Sequence, residues 1–259
     1  MSEGKVCVIG LGEIGTAIYE DIALLKEHTV FGVDVNPQRI DELKKKGYAV
    51  STTIPLSDVY IIAVYTTDQV LSVLHTISGT NKPLISVEST IDPQRVHELK
   101  QLALTKGCDL VIFPHRYNPG DGEHRIFNLR RVLGVDDEQT KQRAFQFYSH
   151  FMPNHLITPV PLQIAALSKV LENAHRFIEI ALAQTYKESC DVRGIDFRLL
   201  QKVANTKWNI DIKEARDGVK GKCLPKDAEL LAAYFKDNKV VRLLIDLNKQ
   251  YIEKQERVH

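Results

Sequence analysis

The first 34 residues constrain the fold of this chain more than any other stretch. Lys5–Gly10 (KVCVIG) is a short apolar run that ends in glycine, and Gly10, Gly12 and Gly15 then spell G-x-G-x-x-G. Apolar residues follow at helical spacing (Ile14, Ala17, Ile18, Ile22, Leu25). A second strand-like run, HTVFGVD, ends in Asp34, nineteen residues after Gly15. Strand, glycine turn, helix, strand and terminal acid in this order predict a βαβ unit that binds a dinucleotide.

Each residue type has a physical reason. Gly10 permits the tight turn, Gly12 lets the backbone approach a pyrophosphate, and Gly15 lets the helix pack on the strand. The helix N-terminus offers unpaired N–H groups to the phosphates. Asp34 accepts hydrogen bonds from an adenosine ribose, which favours NAD over NADP, whose extra phosphate it would repel. Arg39 is able to reach such a phosphate, but it reads better as a solvated residue on the next helix. A glycine turn that binds nothing is the bland alternative for the motif.

The alternation continues. Asp58–Thr66, Pro83–Thr90, Asp109–Arg116 and Arg130–Val135 read as further buried strands between helical segments, which predicts a parallel sheet covered on both faces. Ligands bind such sheets at the carboxyl ends of the strands, where Thr66, Thr90, His115 and Arg116 fall. Ordinary turn chemistry accounts for Thr66 or Thr90 about as well. The expected cofactor contacts are Gly10, Gly12, Glu13, Ile14, Gly15, Asp34, Val64, Thr66 and Thr90.

From Gln163 to about Cys190 the sequence is helical in pattern, with no Gly or Pro. At 1.5 Å per residue this helix is roughly 40 Å long. Ile164, Leu167, Leu171, Ala174, Ile178 and Ala181 form one apolar stripe, and Val170, Phe177, Ile180 and Leu182 lie off it, so a second packing surface is expected. Lys169 and Asn173 are four apart and share a face. Alone, Lys169 reads as a solvated lysine. Downstream, GVKGKCLPKD (Gly218–Asp227) sets Cys223 among Lys220, Lys222 and Lys226, and nearby positive charge favours a reactive thiolate. A chance surface thiol is the bland alternative. Cys7, Cys108 and Cys190 border or sit in apolar segments, and no CxxC pair suggests zinc or redox chemistry.

Taken in order, these motifs resemble the UDP-glucose/GDP-mannose (nucleotide-sugar) dehydrogenases. KVCVIGLGEIG is similar to that family's opening, IIAVYTT and VEST to two of its strand ends, and FPHRYNPG to its PER-x-x-PG segment. SKVLENAHRFIEIALAQ resembles its E-x-x-K-x-x-x-N helix and VKGKCLPKD its G-G-x-C-x-x-x-D loop. The resemblance implies oxidation of a primary alcohol to a carboxylate by two hydride transfers to NAD. It implies Cys223 as the nucleophile of a thiohemiacetal and thioester, with Lys169 and Asn173 on the reacting oxygen. Asp227 would assist proton transfer, and Thr90 would position water or substrate. His115 stands where the family has the glutamate of PER, Lys220 replaces a glycine, and the chain stops where a C-terminal domain would begin.

The expected architecture is therefore α/β: a doubly wound Rossmann NAD-binding domain over residues 1–157, then an all-helical domain with a long central helix over residues 158–259. Met152–Pro161, with its prolines, marks the junction. The substrate is expected to be a small molecule, with a nucleotide sugar as the candidate, and the chain a cytoplasmic homodimer built on the long helix. A formal net charge of +1 gives no field that attracts nucleic acid, and no apolar run approaches the length of a membrane span. No metal site is expected. Two alternatives remain: a two-electron β-hydroxyacid-type dehydrogenase, which would share Lys169 and Asn173 but not need Cys223, and a non-catalytic nicotinamide-binding protein.

Overall fold

The computed structural model describes residues 4–117, 120, 123–236 and 238–258. The chain divides into two compact units, Met1–Ala166 and Leu167–His259.

The first unit is built on one eight-stranded sheet in the order β3-β2-β1-β4-β5-β6-β7-β8. Its strands are β1 (Gly4–Ile9), β2 (His28–Val33), β3 (Val50–Ser51), β4 (Val59–Ile62), β5 (Leu84–Val87), β6 (Asp109–Ile112), β7 (Arg131–Gly134) and β8 (Ile157–Val160). The first six are parallel, as continuous apolar runs buried on both faces require. β7 enters antiparallel to β6, and β8 then runs parallel to β7. The expected sheet is thus mostly rather than wholly parallel. β8 lies inside Met152–Pro161, so the proline-marked junction itself carries the last strand.

The unit's helices are α1 (Glu13–Leu25), α2 (Pro37–Lys45), α3 (Thr67–Thr76), α4 (Val96–Thr105) and α5 (Glu138–Tyr148). Two apolar clusters cover the sheet. One gathers Val6, Val8, Ile18, Ile22, Ile61 and Tyr148; the other gathers Cys7, Ile9, Ile62, Val70, Leu74 and Leu99. Alternate residues of β1 and β4 serve opposite faces, which is the period-2 geometry of a strand.

The second unit is helical. α6 (Leu162–Val192) begins just before the unit's boundary, has 31 residues and is about 46 Å long. α7 (Phe197–Ala204), α8 (Cys223–Tyr234) and α9 (Lys239–Val258) follow. Its core joins Val170, Ala174, Phe177, Ile180 and Ala181 of α6 to Ala228, Leu231 and Ala232 of α8 and Val241, Leu244 and Ile245 of α9. The buried stripe of α6 is therefore rotated from the one expected. Ile164 and Leu171 are half exposed, while Val170 and Phe177 are fully buried. The apolar residues of α6 occupy too wide an arc for spacing alone to fix the phase. No helix among the described residues is long and apolar enough to cross a membrane.

Candidate active site

The glycine turn between β1 and α1 has the shape a pyrophosphate needs. Gly10 holds φ +90°, and a Cβ there would lie 2.5 Å from the Ala63 carbonyl oxygen. A Cβ on Gly15 would lie 1.8 Å from the Gly10 carbonyl oxygen, so only glycine lets α1 start against the turn. At Gly12 a Cβ would meet nothing within 4 Å. That open space lies at the N-cap of α1, where backbone N–H groups have no helical partner. Glu13 and Ile14 form the first turn behind it.

Asp34 directly follows β2 and braces the turn. Its Oδ2 accepts from Leu11 N (2.8 Å) and its Oδ1 from Asn36 N (2.9 Å). A carboxylate has about four acceptor sites, so ribose hydroxyls can still be received. Arg39 corrects one expectation. It is not a solvated surface residue: its Nε donates to Leu11 O (2.9 Å), its Nη2 to Thr16 Oγ1 (3.0 Å), and it pairs with Glu42. It clamps the glycine turn from behind. The donor set and the open backbone fit an NAD molecule.

The neighbouring strand ends complete this edge. Val64 N donates to Ser89 Oγ (2.9 Å), which in turn donates to Ile62 O (3.2 Å), tying the ends of β4 and β5 together. Thr66 caps α3: its hydroxyl accepts from Gln69 N (3.2 Å) while Gln69 Oε1 accepts from Thr66 N (3.0 Å). That reciprocal cap is the turn chemistry considered for Thr66. Thr90 is half-buried just beyond β5.

Glu88, two residues before Thr90 in sequence, anchors a buried cluster that reading the sequence missed. Glu88 is buried, and Arg131 and Tyr148 are fully so. Glu88 Oε2 accepts from Arg131 Nη2 (2.8 Å) and pairs with His115 Nε2; Glu88 Oε1 accepts from the Tyr148 hydroxyl (2.7 Å). Ser86 Oγ bonds that hydroxyl (2.6 Å). Arg131 also donates to Phe113 O and lies 3.7 Å over the Phe113 ring. Burial alone would raise the Glu88 carboxyl, but Arg131, His115 and Tyr148 hold it down at about 2. Burial pushes the Tyr148 phenol well up, with the Glu88 charge adding to it. The available signal was an arginine inside the apolar run RVLG: such a strand buries its side chains, so Arg131 needed a buried anion. Asn118 and Pro119 of the FPHRYNPG segment lie outside the described residues.

The second unit brings three of the expected residues together. Lys169 Nζ donates to Asn173 Oδ1 (3.3 Å), and Asn173 Nδ2 donates to Asp227 Oδ2 (2.6 Å). Asp227 is fully buried, and Lys226 Nζ lies 3.7 Å from its Oδ1. Burial pushes the Asp227 carboxyl up against the opposing pull of Asn173, Lys226 and Lys169. Cys223 is not in a loop: it is the first residue of α8, one turn before Asp227 on the same helix face. It is exposed, whereas Cys7, Cys108 and Cys190 are buried. Lys220 is drawn to Glu256 (3.1 Å) and Lys226 to Asp227, so these two lysines engage carboxylates.

This lysine–asparagine–aspartate chain falls within residues 163–251, which match the UDP-glucose/GDP-mannose dehydrogenase family, central domain. Residues 5–114 match the NAD binding domain of 6-phosphogluconate dehydrogenase. Residues 163–251 are thus similar to the central domain of the UDP-glucose/GDP-mannose dehydrogenase family. Lys169, Asn173, Cys223 and Asp227 all lie in the stretch that matches that central domain, and the glycine turn, Asp34 and Thr90 in the stretch that matches the NAD binding domain. A UDP-N-acetyl-D-mannosamine dehydrogenase of Methanococcus maripaludis is 26% identical over 283 residues, covering 94% of this chain and 65% of its own length. This chain thus spans about 65% of the length of that curated relative. Among solved structures, the UDP-N-acetyl-mannosamine dehydrogenase Cap5O from Staphylococcus aureus superposes with a TM-score of 0.81 at 26% identity, over 95% of this chain and 68% of that one. A 3-hydroxyisobutyrate dehydrogenase from Mycobacterium tuberculosis shares the fold at 16% identity (TM-score 0.74), covering 98% of this chain and 95% of its own.

Proposed function

We propose that this protein is an NAD-dependent dehydrogenase that oxidises the primary alcohol of a nucleotide sugar to a carboxylate through a covalent adduct on Cys223. The observation that carries this is the hydrogen-bonded chain Lys169–Asn173–Asp227, with Cys223 one turn from Asp227, inside the matched central domain. The relatives' names as UDP-sugar dehydrogenases support the substrate class.

NAD, when bound, supplies the hydride acceptor for each of two oxidations. Gly10, Gly12 and the first turn of α1 hold its pyrophosphate, and Asp34 its adenosine ribose. Lys169 takes the alcohol proton and then stabilises the oxyanion of the Cys223 adduct, with Asn173 fixing the ammonium. Cys223 Sγ bonds the aldehyde carbon, so that loss of a second hydride leaves a thioester. Water breaks the C–S bond, releasing the carboxylate and restoring the thiol. The sum is one alcohol, one water and two NAD converted to one carboxylate, two NADH and three protons. Thr90 positions the substrate or water, and His115 is the candidate base for hydrolysis.

A two-electron dehydrogenase acting on a smaller hydroxy acid would use Lys169 and Asn173 alike, and the fold of near-equal length in the hydroxyisobutyrate enzyme keeps it as second reading. Cys223→Ser separates the two. In the first case acid formation is lost; in the second, turnover changes little. We also propose a homodimer, supported by the half-exposed Ile164, Leu171, Leu182 and Tyr186 on α6; a monomer mass by light scattering would count against it.

A further inference from the structure

We propose that Arg39, acting with Thr16, is a positioning residue for the NAD pyrophosphate: it holds the Leu11 carbonyl so that the Gly12 N–H is turned to the phosphates. The inference rests on NAD occupying the glycine turn and not on the reaction proposed above.

Three observations lead to it. The first is where the hydrogen bonds converge. Arg39 Nε donates to Leu11 O (2.9 Å), and the Thr16 hydroxyl donates to the same oxygen (3.0 Å). Arg39 Nη2 donates in turn to Thr16 Oγ1 (3.0 Å), which closes a triangle. A hydroxyl gives one hydrogen and accepts on its lone pairs, and a carbonyl oxygen has two lone pairs, so all three bonds form together. Two donors, one of them a guanidinium, thus fill the Leu11 carbonyl from the side of α1 and α2.

The second is peptide geometry. Across a planar trans peptide, the C=O of one residue and the N–H of the next point in opposite directions. With Leu11 O drawn toward Arg39 and Thr16, the Gly12 N–H is aimed the other way. Gly12 is the N-cap of α1, and a Cβ there would meet nothing within 4 Å, so a phosphate can approach this backbone closely. Reversing the Leu11–Gly12 peptide would turn a carbonyl oxygen toward the anion. Gly12 has no side chain to resist that rotation, so bonds from outside the turn must hold the plane.

The third is the other end of Leu11. Its N–H donates to Asp34 Oδ2 (2.8 Å). Leu11 is therefore fixed at both backbone polar groups, by the carboxylate assigned to the ribose and by the cation and hydroxyl behind the turn. Arg39 also pairs with Glu42 through Nη1 (3.2 Å), so each of its three nitrogens is bonded within the protein. That makes Arg39 a support of the turn rather than a fork for a ligand phosphate.

The test uses free nucleotides and no sugar. Affinities for NAD and ADP are measured by calorimetry, and for adenosine by NMR titration, in the wild type and in Arg39→Met. In the variant NAD and ADP should each bind about tenfold more weakly, while adenosine, which carries no phosphate, should bind as in the wild type. An equal loss for adenosine would mean that Arg39 touches the nucleoside or only supports the fold, and unchanged NAD affinity would mean that the carbonyl needs no clamp; either result overturns the proposal. Thr16→Val removes the hydroxyl at nearly the same shape and serves should Arg39→Met not fold, with a smaller loss of the same selectivity expected. A second arm reads the peptide itself. In protein labelled with 15N-glycine, and with the Gly12 signal assigned by its loss in Gly12→Ala, saturating ADP should shift the Gly12 amide in the wild type and shift it far less in Arg39→Met. An equal shift in both proteins would overturn the proposal. A wild type that binds neither NAD nor ADP would overturn it together with the cofactor assignment, whereas one that binds both but oxidises no sugar would refute only the proposed reaction.

Discussion

Replacing Glu88 by Gln should cost stability in a manner that depends on pH, and the structure sets the size. The Glu88 carboxyl is held at about 2 against an ordinary 4.5. At about 1.4 kcal/mol per pH unit this corresponds to about 3 kcal/mol of folding stability. The folded value is depressed, so this stability is fully present above pH 4.5 and is lost as pH falls toward 2. The variant also leaves Arg131 buried beside a neutral amide, and breaking a buried pair costs about 3–5 kcal/mol. The wild type should therefore exceed Glu88→Gln by about 3–5 kcal/mol at pH 7, and that gap should narrow by most of 3 kcal/mol between pH 5 and pH 2.5. Urea unfolding followed by circular dichroism at several pH values measures the gap. Hydrogen exchange of the β4–β6 amides assigns it to the first unit. A gap that stays constant from pH 7 to pH 2.5 would refute the reasoning, because the charge on Glu88 would then contribute nothing.

Other outcomes follow from the same geometry. Gly15→Ala places a Cβ where the Gly10 carbonyl stands, so NAD affinity by calorimetry should fall at least about tenfold, and unchanged affinity would contradict the turn's role. Asp227→Asn should abolish turnover yet make the second unit more stable at pH 7: the folded carboxyl titrates above its ordinary value, so its charge opposes folding at neutral pH, and the gain should vanish below pH 4. Alkylation with iodoacetamide under native conditions should modify one thiol, Cys223, because the other three are buried and burial pushes Cys7 up to about 12; peptide mass spectrometry showing a buried cysteine modified first would contradict the packing.

Much of the fold could be read from period and punctuation. KVCVIG, its glycines and Asp34 specify the β1–α1–β2 unit because each residue there answers to a local steric or electrostatic demand. The strand ends carrying Thr66, Thr90 and His115 were legible for the same reason. What sequence did not reveal depends on long-range contacts. The antiparallel entry of β7 follows from chain path. The phase of α6, where Val170 and Phe177 are buried and Leu171 is not, depends on where α8 and α9 pack. In the site, the i, i+4 spacing of Lys169 and Asn173 was visible, but their link to Asp227, 54 positions beyond Asn173, was not. Glu88, Arg131 and Tyr148 come from separate elements, so no local pattern joins them. Cys223 reads as a loop residue among glycines and lysines, yet it opens α8, with Pro225 in the first turn, where proline is well tolerated.

The central claim is that two hydrides leave one alcohol with Cys223 holding the carbon between them. The most direct measurement is the number of NADH formed per sugar consumed by purified protein offered NAD and UDP- or GDP-sugars in turn. The account predicts two NADH and one carboxylate per sugar, with Cys223→Ser forming no acid. One NADH per molecule, unaffected by Cys223→Ser, would contradict it and identify a two-electron dehydrogenase.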